Sequence, residues 1–216
     1  MRASLIPCRC FPAIILATLL LTGPIQTTHA EDYPPVKSLL EIRRERVVIQ
    51  KWDLSCGAAA LTTLLRYQHG DPVTEKDVAT ALINRSEYLR NPQLVQIREG
   101  FSLLDLKRYV DGRGYQGTGL GQLTLDDLNR RAPILIPIQT RGYNHFVVFR
   151  GQRDNRVLLA DPAWGNRTMT VEHFMQAWID YPKIGHVGFV VEAAPGHPRS
   201  ASTPLAPRPE EFVTFN

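Results

Sequence analysis

Residues 50–61 read QKWDLSCGAAAL, and this stretch decides both the fold and the chemistry that we expect. From Cys56 onward the residues are small and then apolar, with Leu61, Leu64 and Leu65 at helical spacing, which predicts a helix that begins at the cysteine. A thiol at a helix N-terminus faces unpaired backbone N–H groups and the positive end of the helix dipole. Because this environment favours thiolate over thiol, we interpret Cys56 as a candidate nucleophile.

The first 30 residues have the pattern of a signal peptide. Two arginines accompany an apolar run at residues 14–21, which is too short for a comfortable membrane span, and small residues precede a predicted cut after Ala30. Removal of residues 1–30 would leave Cys56 without a cysteine partner for an intramolecular disulfide. We therefore expect a periplasmic protein, with an uncleaved anchor and association with the cell envelope as the alternative.

Charge and composition exclude several function classes. The formal net charge is +4, and removing the two arginines of the predicted signal peptide leaves +2, spread along the chain, which indicates no nucleic-acid partner. The histidines are scattered, and no two are three or four residues apart on one predicted helix, so we expect no metal site. The sequence has no phosphate-binding loop and no dinucleotide fingerprint, so we expect no cofactor.

Composition divides the rest of the chain into three parts. Residues 31–46 are predicted to be a linker or arm, since Pro34 and Pro35 cannot lie within a helix. Residues 47–194 are predicted to form one domain of ordinary size. Residues 195–216 contain five prolines and no apolar periodicity, so a disordered tail is expected there.

The predicted domain has its long helices first and most of its strands afterwards. This order predicts the α+β class, with an N-terminal helical half packed on a C-terminal antiparallel sheet. Residues 85–100 fit neither helix nor strand, and a lid and a surface excursion both remain open. The predicted helices cover 56–67, 75–84, 103–110, 125–129 and 171–178, and the predicted strands cover 115–120, 134–138, 146–149, 157–160 and 187–191.

Two of the predicted strands form a hairpin that makes a geometric prediction. A polar turn centred between residues 153 and 154 would place His145 opposite Pro162 and beside Asp161, at one end of the sheet. Asp161 would then accept a hydrogen bond from one imidazole nitrogen and leave the other nitrogen for a thiol. Together with Cys56, these two residues would form a nucleophile triad.

Gln50 is the fourth candidate site residue. Acyl transfer from a thiol builds a negatively charged oxygen, which needs hydrogen-bond donors already in place. The side-chain amide of Gln50 and the backbone N–H of Cys56 would supply two such donors if the short loop between them folds the amide over the thiol.

Three motifs in this order resemble the bacteriocin-processing, double-glycine peptidases, which are papain-like cysteine peptidases. The motifs are QKWDLSCGAAAL at 50–61, NHFVV at 144–148 and LADPAWG at 159–165, and the resemblance spans residues 47–192. It departs from the family pattern at Ser55, where family members often carry aspartate.

The resemblance implies a papain-like fold and a role for each candidate residue. It assigns Cys56 as the nucleophile, His145 as the general base and acid, Asp161 as the acid that orients the histidine, and Gln50 as the oxyanion-hole donor. Familiar members are cytosolic domains fused to an export ATPase, whereas the predicted signal peptide makes this chain similar to stand-alone, exported relatives, including those of functional-amyloid (Fap) export systems.

We therefore expect a periplasmic cysteine peptidase. Its expected substrates are small-residue, Gly-Gly-like sites in an exported protein or peptide, such as a functional-amyloid subunit or export component. Two alternatives remain open. The first is a transglutaminase-like acyltransferase, and the second is a non-catalytic module that binds a leader peptide or fibril precursor without cutting it.

Overall fold

The structure is a computed structural model that describes residues 36–195 and 205–212. The predicted signal peptide lies outside the described residues. The helices are α1 (Leu39–Arg44), α2 (Cys56–Thr63), α3 (Glu75–Ile83), α4 (Ser86–Arg90), α5 (Leu94–Ile97), α6 (Leu103–Gly112), α7 (Leu125–Arg131) and α8 (Val171–Ala177). A π-helical turn (Leu64–Gln68) continues α2, and a 3₁₀ turn covers Pro209–Phe212. Within the described ranges, no helix combines the length and apolar character needed to cross a membrane.

The strands form one large antiparallel sheet and a separate small hairpin. Their order in the large sheet is β1-β8-β2-β3-β4-β5, and β6 pairs with β7. The predicted α+β class, with helices ahead of an antiparallel sheet, is confirmed. The strands are β1 (Tyr115–Leu120), β2 (Ile134–Thr140), β3 (Tyr143–Arg153), β4 (Arg156–Asp161), β5 (Gly165–Thr170), β6 (Asp180–Tyr181), β7 (Gly185–His186) and β8 (Gly188–Ala193).

Four helices begin with the same local device. In each, a Ser or Thr side chain accepts the backbone N–H three residues later, and the acidic side chain at that position accepts the backbone N–H of the Ser or Thr. These reciprocal bonds satisfy helix N–H groups that have no partner within the helix, which explains where the helices start. The pairs are Ser38–Glu41, Thr74–Asp77, Ser102–Asp105 and Thr124–Asp127.

Both faces of the central strands of the large sheet are buried. Every residue of α2 is buried, and α2 packs against β3, α3 and α6. Side chains alternate between the two faces along the central strands, so each face carries its own cluster of apolar residues. Strands β3 and β4 therefore pack against apolar side chains on both faces. The face towards α2 carries Leu135, Val148 and Ala160, and the opposite face carries Ile136, Val147 and Leu159 beneath Phe174 and Trp178 of the α8 region.

The β3–β4 turn differs from its prediction. Residues 154–155 form the turn, because Arg153 pairs with Arg156, and the first turn residue has a φ of 51°. Left-handed backbone suits Asp and Asn in a two-residue hairpin turn, which explains this choice. A β-bulge in β3 then shifts the register, and Val148 pairs with Ala160. The predicted register, and with it the position of His145 opposite Pro162, is therefore wrong by one residue.

The structure also differs from the predicted tail over residues 205–212. Leu205 is fully buried, and Glu211 is 5% exposed. Arg150 of β3 donates to the Leu205 carbonyl at 3.0 Å and to both carboxylate oxygens of Glu211 at 2.9 and 3.0 Å. Residues 205–212 are held on the domain by polar contacts with the buried guanidinium of Arg150. Contacts of this kind produce no apolar periodicity, so the sequence does not reveal them.

Two further stretches contain short helices. The predicted arm includes α1, which packs against β5, where the Asn166 side chain donates to the Glu45 carbonyl at 2.6 Å. Residues 85–100 include α4 and α5, and the Glu99 carboxylate accepts the N–H of Asn144 at 3.1 Å. This second stretch therefore ends next to the strand that carries His145.

Candidate active site

Cys56 lies where the sequence predicts it, at the first turn of a helix. It is the first residue of α2 and is 5% exposed. The hydroxyl oxygen of Ser55 lies 2.7 Å from the Trp52 carbonyl oxygen and 2.7 Å from Oε1 of Glu75, so its one hydrogen is shared between these two acceptors. The Ser55 side chain makes no capping bond to α2. The dipole of α2 therefore points its positive end towards the thiol and towards any anion formed beside it.

His145 and Asp161 form a buried hydrogen-bonded pair. The Nε2 atom of His145 lies 2.7 Å from Oδ1 of Asp161, and because a carboxylate only accepts, Nε2–H is the donor. The remaining ring nitrogen, Nδ1, is then available to the Cys56 thiol. The one-residue error in predicted register does not separate the pair, since diagonal neighbours on adjacent strands are within reach of an imidazole ring.

The charge state of His145 depends on both partners. Burial opposes a charged ring, but the hydrogen bonds with Asp161 and with Cys56 outweigh burial and raise the pKa of His145 to about 9. The imidazolium is therefore the dominant form at neutral pH. The sulfur, imidazole and carboxylate predicted from three distant stretches of sequence are thus brought together.

A close approach between α2 and β3 places the thiol beside the imidazole. Gly57 follows Cys56, and Phe146 follows His145. A Cβ atom at position 57 would lie 3.2 Å from the Phe146 ring, which is tighter than ordinary van der Waals contact. The absence of a side chain at Gly57 therefore lets the helix and the strand meet at the two reacting residues.

Asp161 is held from three directions. Its Oδ1 also accepts the N–H of Ala163 at 2.8 Å, and its Oδ2 lies 2.8 Å from Nε of Arg167. The Arg167 contact is an ion pair without hydrogen-bond alignment. Burial alone would raise the pKa of Asp161, but the hydrogen bond and charge of His145, followed by the charge of Arg167, lower it below its usual value.

Sequence reasoning missed Arg167. The signal was available, because β5 follows Asp161 after a short turn and pairs with β4, with Gly165 opposite Asp161. Arg167 is two residues further along β5 than Gly165, and residues two apart on a strand share a face. A strand prediction for residues 165–170 would therefore have placed a guanidinium diagonally across from the carboxylate.

Gln50 is tied to both halves of the site. Its backbone N–H donates to the Pro162 carbonyl at 2.9 Å, next to Asp161, and its side-chain Nε2 donates to the Trp52 carbonyl at 3.2 Å, in the loop before Cys56. An amide NH₂ has two hydrogens, so one can hold the Trp52 carbonyl while the other serves a substrate oxygen.

Two cavities are lined by residues next to the triad, and Cys56 itself lines neither of them. One of about 340 Å³ lies beside His145, and one of about 360 Å³ lies beside Ser55 and Trp52. Phe101 lines both cavities, so it separates the space next to the base from the space next to the nucleophile loop. Across residues 36–195 and 205–212, no group of three or more His, Cys, Asp or Glu side chains is arranged to hold a metal ion.

The chain matches known proteins along most of its length. Residues 44–182 match the Peptidase C39 family. A protein of Pseudomonas aeruginosa named "Probable functional amyloid protease FapD" is 32% identical over 186 residues, which cover 85% of this chain and 75% of that protein. A Pseudomonas fluorescens protein of the same name is 36% identical over 178 residues, which cover 77% of this chain and 75% of that protein.

Solved structures of peptidase domains share the fold. A double glycine motif protease from an AMS/PCAT transporter, solved with its leader peptide, has a TM-score of 0.53 at 21% identity and covers 68% of this chain and 91% of that chain. The peptidase domain of Streptococcus ComA has a TM-score of 0.53 at 16% identity and covers 68% of this chain and 97% of that chain. The predicted resemblance to the double-glycine peptidases is confirmed, and the chain belongs to the Peptidase C39 family as a cysteine peptidase.

Proposed function

We propose that this cysteine peptidase acts in the periplasm and cleaves small-residue, Gly-Gly-like sites in an exported partner such as a functional-amyloid component. The observation that supports the catalytic part of the proposal is the grouping of Cys56, His145 and Asp161 where α2 packs on β3. This grouping is the arrangement that nucleophilic acyl transfer requires.

Each side chain has a definite role in the proposed reaction. The Cys56 sulfur attacks the peptide carbonyl carbon, and the carbonyl oxygen takes up negative charge between the Gln50 amide and the start of α2. The imidazolium of His145 gives its proton to the leaving amine as the C–N bond breaks. A water molecule, deprotonated by His145, then cleaves the thioester and releases the acid. Asp161 fixes the ring so that Nδ1 faces the sulfur throughout.

The substrate assignment is supported by the relatives. The FapD proteins of two Pseudomonas species are named as functional amyloid proteases, and one solved relative is named as a double glycine motif protease. The predicted signal peptide at residues 1–30 supports the periplasmic location. An exported protein made in the same cell is therefore the expected partner.

A pair of matched peptides tests the specificity. One peptide carries a central Gly-Gly, and the other carries Val in place of the second Gly. We expect cleavage after Gly-Gly, with kcat/KM at least ~10-fold lower for the Val peptide because a narrow site rejects added methyl groups. The Cys56→Ala variant should cut neither peptide. Equal cleavage of both peptides would overturn the small-residue assignment.

Two further readouts separate the alternatives. Adding a primary amine during the reaction would give peptide–amine conjugates if the protein were an acyltransferase, whereas a peptidase gives the free acid. Binding of the Gly-Gly peptide without any cleavage would indicate a non-catalytic module. In the native host, Cys56→Ala should leave an exported protein unprocessed, and osmotic-shock fractionation should release the peptidase with periplasmic proteins. Recovery with the cytoplasm would overturn the proposed location.

A further inference from the structure

A buried carboxylate forms hydrogen bonds with the loop before Cys56, near both ends of that loop. Glu75, the first residue of α3, is 4% exposed. Its two carboxylate oxygens, Oε1 and Oε2, accept the N–H of Lys51 at 3.0 and 3.2 Å. Its Oε1 also lies 2.7 Å from the Ser55 hydroxyl, whose one hydrogen it shares with the Trp52 carbonyl. A single side chain from another helix therefore bridges residues 51 and 55.

The two residues that Glu75 contacts are next in sequence to the oxyanion donor and the nucleophile proposed for acyl transfer. Lys51 follows Gln50, and Ser55 precedes Cys56. The Gln50 side-chain amide donates to the carbonyl of Trp52, which lies in the loop between Lys51 and Ser55. Movement of the loop would therefore move the amide, whereas Cys56 would stay in place because α2 is buried throughout.

The loop does not adopt its shape from local preference. Leu54 has a φ of 66°, which is left-handed backbone. That conformation costs a residue with a Cβ atom about 1–2 kcal/mol, so contacts from outside the loop must hold it. The Glu75 carboxylate supplies such contacts on both sides of the strained residue.

The burial of Glu75 is not explained by the start of α3. The reciprocal bonds of Thr74 and Asp77 already cap that helix. An acidic residue in a first helical turn also gains from the helix dipole while it is exposed, as Asp77 is. The hydrogen bonds from the loop to Glu75 therefore explain why this carboxylate is buried.

We propose that Glu75 is a positioning residue for the oxyanion hole, because it fixes the loop whose Trp52 carbonyl orients the Gln50 amide. The proposal rests on the proposed roles of Gln50 and Cys56. It predicts that the loss of Glu75 impairs the step that builds a negative oxygen and spares a reaction of the same thiol that builds none.

Two reactions of Cys56 make this distinction. Acylation by N-acetyl-glycyl-glycine p-nitrophenyl ester passes through an oxyanion and releases p-nitrophenolate as the thioester forms. Alkylation by iodoacetamide displaces iodide and needs no oxyanion hole. We expect Glu75→Ala to lower the acylation rate constant by ~10-fold or more, since losing a whole oxyanion donor costs on the order of 10²–10³. The alkylation rate constant should stay within roughly twofold of wild type, because α2 still holds the thiol beside His145.

Three variants sharpen the test. Asp126→Ala removes an exposed acidic residue from the first turn of another helix, α7, without removing a cap or touching the loop, and it should leave both reactions near wild type. Glu75→Gln keeps one acceptor oxygen and should give an acylation rate between wild type and Glu75→Ala, which serves if the alanine variant does not fold. Adding Glu75→Ala to Gln50→Ala should cause no further loss of acylation, since the amide that Glu75 orients is already absent.

Parallel losses of acylation and alkylation would overturn the proposal and indicate a purely structural role for Glu75. Multiplying effects of Gln50→Ala and Glu75→Ala would overturn it as well. A wild-type protein that is alkylated at Cys56 but never acylated by the ester would overturn the proposed function itself, and this inference with it. The two failures are therefore distinguishable.

Discussion

The Nε2 atom of His145 lies 2.7 Å from Oδ1 of Asp161, and the two side chains are 3% and 0% exposed. Water is excluded from this contact, so the charges on the ring and the carboxylate act on each other with little screening. The hydrogen bond fixes which imidazole nitrogen faces Cys56, and it helps keep the ring protonated at neutral pH. Both effects can be tested by changing the carboxylate, its neighbours or the pH.

Asp161→Asn should shift the alkaline limb of the pH profile of kcat/KM for peptide cleavage to lower pH. In the wild type, kcat/KM should fall as pH rises through about 9, where His145 loses its proton. The asparagine keeps the shape but removes the charge that stabilises the imidazolium, so the limb should move towards the ordinary histidine pKa of 6.5. Asp180→Asn, an exposed change, should leave the profile in place. An unchanged limb in Asp161→Asn would contradict this account of the pair.

The same pKa shift predicts a pH-dependent stability. Because the pKa of His145 is raised on folding, its protonation stabilises the folded protein fully below about 6.5, and that contribution is lost as the pH rises through about 9. Urea unfolding at pH 6 and at pH 10 should show this loss in the wild type. The loss of stability between the two pH values should be smaller in Asp161→Asn. An equal loss in both proteins would mean that groups other than His145 cause it.

Arg167→Gln should destabilise the protein. The change leaves the buried Oδ2 of Asp161 without its nearby positive charge, which should lower the free energy of unfolding by about 1–3 kcal/mol. The folded-state pKa of Asp161 should rise as well, so the midpoint of acid unfolding should move to higher pH. Arg153→Gln, at an exposed position of β3, is the matched control. Equal stability of the two variants would mean that Arg167 does not support the carboxylate.

Gly57→Val should separate the thiol from the imidazole. A valine would press its branched side chain on the Phe146 ring, which lies 3.2 Å from the position of a Cβ atom, and would push α2 away from β3. Because misplacing a reacting group by ~1 Å can cost on the order of 10²-fold, we expect at least ~10-fold slower peptide cleavage. Gly112→Val is the control, since a Cβ atom there meets nothing within 4 Å. Similar cleavage rates for both glycine variants would contradict the close-approach argument.

Glu211→Ala should destabilise the protein from outside the predicted domain. Arg150 is fully buried, and removing its carboxylate partner leaves a buried charge without compensation. Such losses cost about 3 kcal/mol or more, and urea unfolding measures them directly. Glu192→Ala, at an exposed position of β8, should change the stability little. A small effect of Glu211→Ala would show that residues 205–212 are not needed to hold the fold.

Periodicity and chain order were enough to predict the architecture. The helices at Cys56, Glu75 and Leu103 begin where small-residue spacing and Ser or Thr caps indicate. The buried runs of β2 and β3 are apolar in the sequence because both of their faces are covered. These features are local, so a sequence shows them without knowledge of tertiary contacts.

The features that sequence reasoning missed depend on long-range polar contacts. Glu75 bonds to a loop 20–24 residues away, and Glu211 bonds to Arg150 across 61 residues. Neither contact leaves a periodic signal. The hairpin register failed for a different reason. The turn lies one residue later than its predicted centre, and the bulge in β3 removes only half of the resulting offset.

The most direct test of the account is to identify the residue that carries the acyl group during turnover. The wild-type protein would be mixed with N-acetyl-glycyl-glycine p-nitrophenyl ester, quenched in acid within seconds, digested with trypsin and analysed by mass spectrometry. A thioester on Cys56, within the tryptic peptide that spans residues 52–66, is the predicted result, and Cys56→Ala should carry no adduct. An acyl group on any other residue, or an adduct that persists in Cys56→Ala, would contradict the assignment of Cys56 as the nucleophile.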